Sequence, residues 1–316
     1  MQIWRRGVID TCSGPYIANK EYCFRLANNQ GWHIITTEGV REWGAKLAAI
    51  LELKTYNENS YPKLIFVKRS SRIKNFEKLP STLAPAIRRQ LPAKGWNVQD
   101  HGLIRFWFHK KTEDVICELA GPKLWDIDIL KMYQALHPIH TQALSSGGLP
   151  LHAALVERNG IGAVLAAPGN TGKTTCCRRL PPPWQAMSDD ETLIVRNDEK
   201  KYFAHPFPTL ANYFRGDYCH TRNVQEHISL KAIFFLEQAE DDEVIPVKQG
   251  QATILAIHSA MQICYRNWNK LGEMQKQELK KKLFENASEL AITIPAFILR
   301  ASLSGKFWNE MEKVLL

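Results

Sequence analysis

The sequence predicts an α/β fold in two parts, a small α+β module followed by a larger phosphate-loop domain. Strand-like and helix-like hydrophobic patterns alternate along the 316 residues. A phosphate-binding loop lies between a predicted strand and a predicted helix, just past the middle of the chain. Ser145–Pro150, SSGGLP, has the clearest composition of a flexible linker. We therefore predict the small module over 1–121, a linking helix and flexible linker over 122–149, and the phosphate-loop domain over 150–316.

The first part shows the patterns of a small α+β module and carries no catalytic signature. We predict strands at Trp32–Thr37, Lys63–Lys68, Gly102–Phe108 and Asp114–Leu119, and helices at Gly39–Leu53 and Ser81–Leu91. The last two strands form a hairpin across a polar turn. A linking helix is predicted over Leu124–Leu144, interrupted by Pro138.

Composition limits the class of protein. Apolar residues make up 45% and charged residues 23% of the chain, as in ordinary soluble proteins. Neither a signal peptide nor a membrane-spanning run is predicted, so we expect a cytoplasmic protein. The seven cysteines form no Cys-x-x-Cys pair, which argues against a zinc ribbon or a disulfide framework.

The net charge of +9 is unevenly distributed. Residues 1–110 hold 18 Lys or Arg and 8 Asp or Glu, whereas the rest of the chain holds 23 and 24. A basic module can attract an acidic peptide, a nucleic acid or a lipid surface, and a solvated basic surface without a partner is the alternative. No nucleic-acid-binding motif is present, so a nucleic-acid role is disfavoured.

The second part opens with a predicted hairpin. Leu151–Glu157 and Ala163–Ala167 are strand-like, and Asn159-Gly160 between them is a strong turn signal. The strand that leads into the phosphate loop therefore has an antiparallel neighbour. Most phosphate-loop proteins place parallel strands beside this strand.

The segment Ala167–Thr174, APGNTGKT, fits the phosphate-loop pattern [AG]-x-x-x-x-G-K-[ST]. In such a loop main-chain N–H groups surround phosphate oxygens, the lysine contacts the terminal phosphates and the hydroxyl ligates magnesium. The pattern therefore predicts binding of ATP, or another nucleoside triphosphate, with Mg²⁺. We assign nucleotide binding to Pro168, Gly169, Asn170, Thr171, Gly172, Lys173, Thr174 and Thr175.

An acidic pair, Asp189 and Asp190, follows Lys173 after sixteen residues and precedes an apolar run. In common ATPases the magnesium-binding acid instead ends a run of four apolar residues and lies much further downstream. One aspartate of the pair can hold the metal while the other accepts a proton from an attacking hydroxyl. A polar turn is the alternative interpretation. We expect His152 to lie near the pair, where a catalytic and a structural role are equally compatible with the sequence.

This combination of hairpin histidine, phosphate loop and acidic pair resembles the kinase domain of the bacterial HPr kinase/phosphorylase family, which shares its core with phosphoenolpyruvate carboxykinases. The resemblance covers about 145–316. It is strongest to the HPr-kinase-related SynChlorMet cassette protein C type of ribosomal-peptide modification cassettes, and LPLHAALVERNGIGAVLAAPGNTGKTTCCRRLPPPW is the most telling stretch. It implies a carboxykinase-like P-loop core with a mixed sheet.

The resemblance also implies roles for single residues. Lys173 would bind phosphates, Thr174 and Asp190 would hold magnesium, and Asp189 would act as general base with help from His152. Ala153 stands where the HPr kinases tend to have glycine, which argues against HPr itself as the substrate.

Three functions follow as hypotheses. The first is a kinase that transfers the γ-phosphate of ATP to a Ser or Thr hydroxyl of an acidic peptide or small protein. The second is a small-molecule kinase, and the third is a nucleotide switch or ATPase without an acceptor. Asn269–Gly272 lacks the aspartate of a guanine-binding motif, which disfavours a GTPase. The sequence assigns no role to His205 or Arg300 and no oligomeric state.

Overall fold

The computed structural model describes residues 21–55, 61–70, 79–121, 125–208, 223–268 and 271–315. These residues form two mixed β-sheets with helices packed on them, which confirms the predicted α/β class. Three sequence predictions fall partly outside the described residues. The parts concerned are residue 124 at the start of the linking helix, the pair 269–270 and the cysteines at 12 and 219. The division into a module, a linker and a second domain stays a prediction.

The first sheet has the strand order β3-β1-β2-β4-β7-β6-β5. Its strands are β1 (Glu21–Arg25), β2 (Gly31–Thr36), β3 (Lys54–Thr55), β4 (Lys63–Lys68), β5 (Trp96–Asp100), β6 (Ile104–His109) and β7 (Val115–Leu119). Strands β2, β4 and β7 run parallel, and the other neighbours are antiparallel. The predicted β6–β7 hairpin is confirmed.

The second sheet has the strand order β11-β9-β10-β14-β13-β12-β8, and β16 and β15 continue it from β14. Its strands are β8 (Leu149–Leu151), β9 (Ala153–Arg158), β10 (Ile161–Ala166), β11 (Gln185–Ser188), β12 (Glu191–Arg196), β13 (Tyr202–Phe207), β14 (Ile228–Gln238), β15 (Glu243–Pro246) and β16 (Ala296–Ala301). Strand β10 lies between antiparallel β9 and parallel β14. The predicted antiparallel neighbour is therefore confirmed.

The described α-helices pack on both sheets. They are α1 (Arg41–Ile50), α2 (Pro85–Arg88), α3 (Trp125–Ala135), α4 (His137–Ser145), α5 (Lys173–Arg179), α6 (Gln249–Trp268), α7 (Glu273–Thr293) and α8 (Phe307–Leu315). Helix α2 starts at Pro85 and not at Ser81 as predicted, since proline suits the first turn of a helix and interrupts its interior. No described helix has the length and apolar character that crossing a membrane requires.

One apolar core joins the two sheets. It contains Phe24 and Phe66 of the first sheet, Ile139 of α4, and Leu193 and Phe207 of the second sheet. Helices α3 and α4 correspond to the predicted linking helix, and the chain passes from one to the other at Leu136, two residues before Pro138. The segment predicted as a flexible linker, Ser145–Pro150, forms the end of α4, a turn and the first two residues of β8.

The second sheet brings several loops to a single edge. Strand β9 starts opposite the end of β10, as Ala153 pairs with Ala166. Strand β11 ends at this edge and β12 begins there, with Thr192 opposite Leu151. Strands β14 and β16 run parallel to β10 and end there as well. Residues far apart in sequence therefore meet around the phosphate loop.

Candidate functional site

The predicted phosphate loop, Ala167–Thr174, connects β10 to α5 at this edge. Asn170 and Gly172 both have positive φ angles, 63° and 108°, and they turn the chain sharply before the helix. A Cβ atom placed on Gly169 or Gly172 would meet no atom within 4 Å, so these glycines border open space. Alternation of left-handed and right-handed residues makes successive N–H groups converge, which is the geometry of an anion-binding concavity. The loop residues therefore fit a phosphate group.

Lys173 lies at the base of the loop with its ammonium group buried. Its Nζ atom donates hydrogen bonds to the carbonyl oxygens of Ala167 at 2.9 Å and Pro168 at 3.2 Å. Burial lowers the pKa of Lys173, and the carboxylates of Asp190 and Asp189 oppose this effect. A cation desolvated in this way interacts strongly with an anion that enters the loop.

The predicted strand Leu151–Glu157 is interrupted at His152, because β8 ends at Leu151 and β9 begins at Ala153. The chain changes its pairing partner at this residue, from β12 to β10 and β11. The imidazole is thereby placed beside the loop, with Nε2 2.9 Å from Asp190 Oδ1 and 3.3 Å from Lys173 Nζ. The expected proximity of His152 to the acidic pair is confirmed.

The acidic pair lies in the turn between β11 and β12. Asp189 is buried and Asp190 is partly exposed, with 30% of its side chain accessible. Asp190 contacts His152. The two carboxylates therefore have different surroundings, and this allows them different roles. Thr174 is half-buried in the first turn of α5.

A cleft of about 480 Å³ opens on the side of the loop where β14 and β16 end. Phe235, Leu255 and Ile298 give it apolar walls, and α6 covers it. Its volume falls within the usual range of small-molecule sites. The cleft shares Pro168, Asn170 and Thr171 with the phosphate loop.

Glu237, which the sequence reasoning missed, lines this cleft. It follows the apolar run Ile233–Leu236 at the end of β14, the parallel neighbour of β10. Its Oε2 atom is 3.7 Å from Nε of Arg300, whose Nη1 donates a 2.9 Å hydrogen bond to Glu243. The signal was present in the sequence, since an acid that ends four apolar residues is the common ATPase pattern.

Residues of α6 were also missed. Gln262 Oε1 is 2.7 Å from His152 Nδ1, and Ser259 Oγ donates a hydrogen bond to the carbonyl of His152 at 3.2 Å. Both lie more than 100 residues beyond His152 in a helix without any motif, so no sequence pattern indicates them.

His205, left without a role by the sequence, is fully buried outside this edge. Its Nδ1 atom donates to the carbonyl of Val224 at 2.9 Å, and its Nε2 accepts the N–H of Ala27 at 3.0 Å. His205 therefore joins β13 to the turn between β1 and β2, which is a structural contact.

Among the described residues, no group of three or more His, Cys, Asp or Glu side chains is arranged to hold a metal ion. Magnesium does not require such a group, since it commonly binds one or two carboxylates together with substrate phosphates. Thr174 and Asp190 are suitable donors for a metal of this kind.

The comparisons with known proteins identify a family. The family model described as SynChlorMet cassette protein ScmC matches residues 115–316, which is more than half of the chain. The matched range includes the whole second sheet and the phosphate loop. The comparison with curated proteins gives no match.

Proposed function

The chain belongs to the SynChlorMet cassette protein ScmC family, and from this premise and the site geometry we propose that it is a cytoplasmic ATP-dependent P-loop kinase. The observation that carries the proposal is the contact chain from the buried Lys173 ammonium to His152 and on to Asp190. The imidazole ring of His152 therefore bridges the ammonium group of Lys173 and the carboxylate of Asp190. Phosphoryl transfer requires these two groups beside each other.

We further propose that the second sheet is a core of the HPr kinase and phosphoenolpyruvate carboxykinase type. Strand β10 has β9 as an antiparallel neighbour, which is unusual for phosphate-loop proteins. The acidic pair directly precedes β12 and does not end the strand that runs parallel to β10. Both features agree with the resemblance of the sequence to HPr kinases.

In the proposed reaction the γ-phosphoryl group passes from ATP to the acceptor hydroxyl and ADP leaves, and a bound Mg²⁺ would neutralise phosphate charge. Lys173 exchanges its two carbonyl acceptors for phosphate oxygens, and this is favourable because its ammonium is already largely desolvated. Thr174 and Asp190 provide oxygen ligands for the metal. Asp189 accepts the proton of the acceptor hydroxyl, and the loop amides of Gly169–Thr175 hold the phosphate chain.

The cleft beside the loop would receive the nucleoside. It shares Pro168, Asn170 and Thr171 with the phosphate loop, so a nucleotide whose phosphates occupy the loop would extend its base into the cleft. The apolar side chains of Phe235, Leu255 and Ile298 suit a flat heteroaromatic ring.

The acceptor in this proposal is a Ser or Thr hydroxyl of a peptide encoded in the same cassette. The name of the family places its members in a gene cassette. The surplus of positive charge in residues 1–110 would attract an acidic peptide. A small-molecule acceptor is the alternative for the same site.

Mass spectrometry of the cassette peptide after incubation with the protein, ATP and Mg²⁺ tests the proposal. We expect a mass increase of one phosphate, lost in Asp189→Asn and retained in the control Asp198→Asn, which changes an exposed acid. Full transfer by Asp189→Asn would remove Asp189 as the base. No transfer to any peptide or small molecule by the wild-type protein would contradict the kinase.

A second function, ATP hydrolysis without an acceptor, is favoured by the position of Glu237. An acid at this point of the neighbouring parallel strand helps to hold magnesium in common ATPases. Release of inorganic phosphate without acceptor distinguishes the two functions. Hydrolysis that is lost in Glu237→Gln, and retained in the control Glu243→Gln, would favour the ATPase.

A further inference from the structure

A second cavity, of about 180 Å³, lies among α3, α4, α6 and the start of β12. It shares no residue with the cleft beside the phosphate loop. Its apolar walls are formed by Leu103, Leu130, Tyr133 and Ile263. Leu130 is 47% exposed, so the cavity reaches the surface at this side chain. An apolar cavity of about 150 Å³ can hold one six-membered carbon ring, so this space is sufficient for one small organic molecule.

Three polar side chains line the same cavity and carry buried atoms that have no hydrogen-bond partner in the described part of the chain. These atoms are Oε1 of Gln134, Oε1 of Glu191 and both ring nitrogens of His140. Glu191 is 2% and His140 6% exposed, so bulk water does not solvate these groups. A buried polar atom without a hydrogen bond is costly, and its presence beside a cavity indicates a bound partner.

The atoms that lack hydrogen bonds are mainly acceptors. Gln134 Nε2 donates to the carbonyl of His101 at 3.2 Å, which leaves the amide oxygen as the atom to be satisfied. Glu191 Oε1 lies 2.7 Å from His140 Nε2 without the alignment of a hydrogen bond. A carboxylate oxygen accepts more than one hydrogen bond, and a neutral imidazole has one accepting nitrogen. The set therefore calls for a ligand that carries several donors.

We propose that this cavity binds a small organic ammonium ion. An –NH₃⁺ group has three donors and no acceptor, which matches the acceptors of Glu191, Gln134 and His140. The carboxylate of Glu191 compensates the positive charge that the ligand would bury. The hydrocarbon part of the ligand would pack on Leu130 and Ile263. A metal ion or a water molecule would leave these apolar walls without contacts.

Isothermal titration calorimetry of the full chain with benzylamine tests the proposal. Benzyl alcohol and benzoate are the comparison ligands, because they keep the ring and replace the ammonium by a neutral or an anionic group. We expect benzylamine to bind roughly tenfold more tightly than benzyl alcohol, the gain expected for charge-assisted hydrogen bonds, and benzoate not to bind. The measurement requires no nucleotide, so its result does not depend on the proposed kinase activity.

Two variants place the binding in this cavity. Glu191→Gln keeps the shape of the side chain and removes its charge, so the tenfold preference for benzylamine should disappear while benzyl alcohol binds as before. Leu130→Trp should block the opening and weaken both ligands by at least roughly tenfold. Its position is exposed, so this variant should fold even if Glu191→Gln does not. Leu303→Trp is the matched control, since Leu303 is 85% exposed and lies outside the cavity.

Two results would overturn the proposal. If benzylamine does not bind, or binds no more tightly than benzyl alcohol, the cavity holds ordered water or any apolar molecule and does not recognise an ammonium group. If Leu130→Trp binds benzylamine as tightly as the wild-type protein and Leu303→Trp do, the amine binds elsewhere. Loss of binding in Leu130→Trp but not in Leu303→Trp, together with the preference for the amine in the wild-type protein, would support the proposal.

Discussion

His140 Nε2 lies 2.7 Å from Glu191 Oε1, and both side chains are buried at the junction of α4 and β12. The contact has the distance of an ion pair without the alignment of a hydrogen bond. Glu191 directly follows Asp190, so this pair anchors the start of the strand that carries the acidic turn. A small cavity of about 180 Å³ borders both residues. The contact therefore links α4 to the candidate site.

We predict that replacing one member of this pair destabilises the protein more than replacing both members. Glu191→Leu should lower the free energy of unfolding by about 3 kcal/mol, because it leaves a buried imidazole without its partner. The double variant His140→Phe with Glu191→Leu should lose less, since an apolar pair needs no charge compensation. Urea denaturation of the wild-type protein, both single variants and the double variant measures this. A double variant equal to the sum of the single variants would contradict the coupling.

The elements near the phosphate loop could be predicted from the sequence because their signals are local. Asn159-Gly160 specifies the turn of the hairpin, and Gly172-Lys173 specifies the loop, each from neighbouring residues alone. The break between β8 and β9 at His152 could not be predicted, since it depends on which strands pair on each side. Apolar periodicity indicates that a strand is present but does not indicate which strands pair with it.

The contacts that complete the candidate site connect distant parts of the chain. Gln262 reaches His152 over 110 residues and Ala27 reaches His205 over 178, and neither pair shares a local pattern. Glu237 differs from these cases. The sequence shows the apolar run that precedes it, but it does not show that this strand lies beside β10. The acidic pair lies closer to the loop in sequence than Glu237 does, which is why a local pattern indicates it.

Lys173→Met should weaken binding of ATP by roughly 10²-fold, the loss expected for charge-assisted hydrogen bonds to phosphate. The free energy of unfolding should not fall, because burial lowers the pKa of Lys173 and its charge is costly in the fold. Isothermal titration calorimetry and urea denaturation measure the two quantities. The control is Lys201→Met, which removes an exposed cation. Unchanged affinity for ATP in Lys173→Met would exclude the loop as the phosphate site.

Substitutions at Asp190 and at Glu237 should differ in their effect on the magnesium concentration that activity requires. If the kinase proposal holds, Asp190→Asn should raise the Mg²⁺ concentration for half-maximal activity by about tenfold, equivalent to about 1.4 kcal/mol of binding. Glu237→Gln should leave this concentration unchanged. Titration of activity with MgCl₂ at saturating ATP gives the comparison. The reverse pattern would assign the metal to the end of β14.

Stability should decrease in mild acid because of His205. Burial lowers the pKa of His205 from 6.5 to about 4, and its Nε2 already accepts the N–H of Ala27, so the folded protein keeps this imidazole neutral. As pH falls below 6.5 the unfolded chain binds a proton that the folded chain does not bind. The stabilisation is thus complete above pH 6.5 and is lost as pH falls toward 4. The loss amounts to about 3 kcal/mol.

Urea denaturation between pH 7 and pH 4.5 measures this loss in the wild-type protein and in His205→Gln. The variant has no imidazole at this position, so its stability should fall less steeply with decreasing pH, although it should be less stable at pH 7. His258→Gln is the matched control, because it removes an exposed histidine. Its pH dependence should equal that of the wild-type protein. If His205→Gln keeps the wild-type slope, another buried group must cause the acid sensitivity, and His137, whose pKa burial lowers to about 3, would be the next to change.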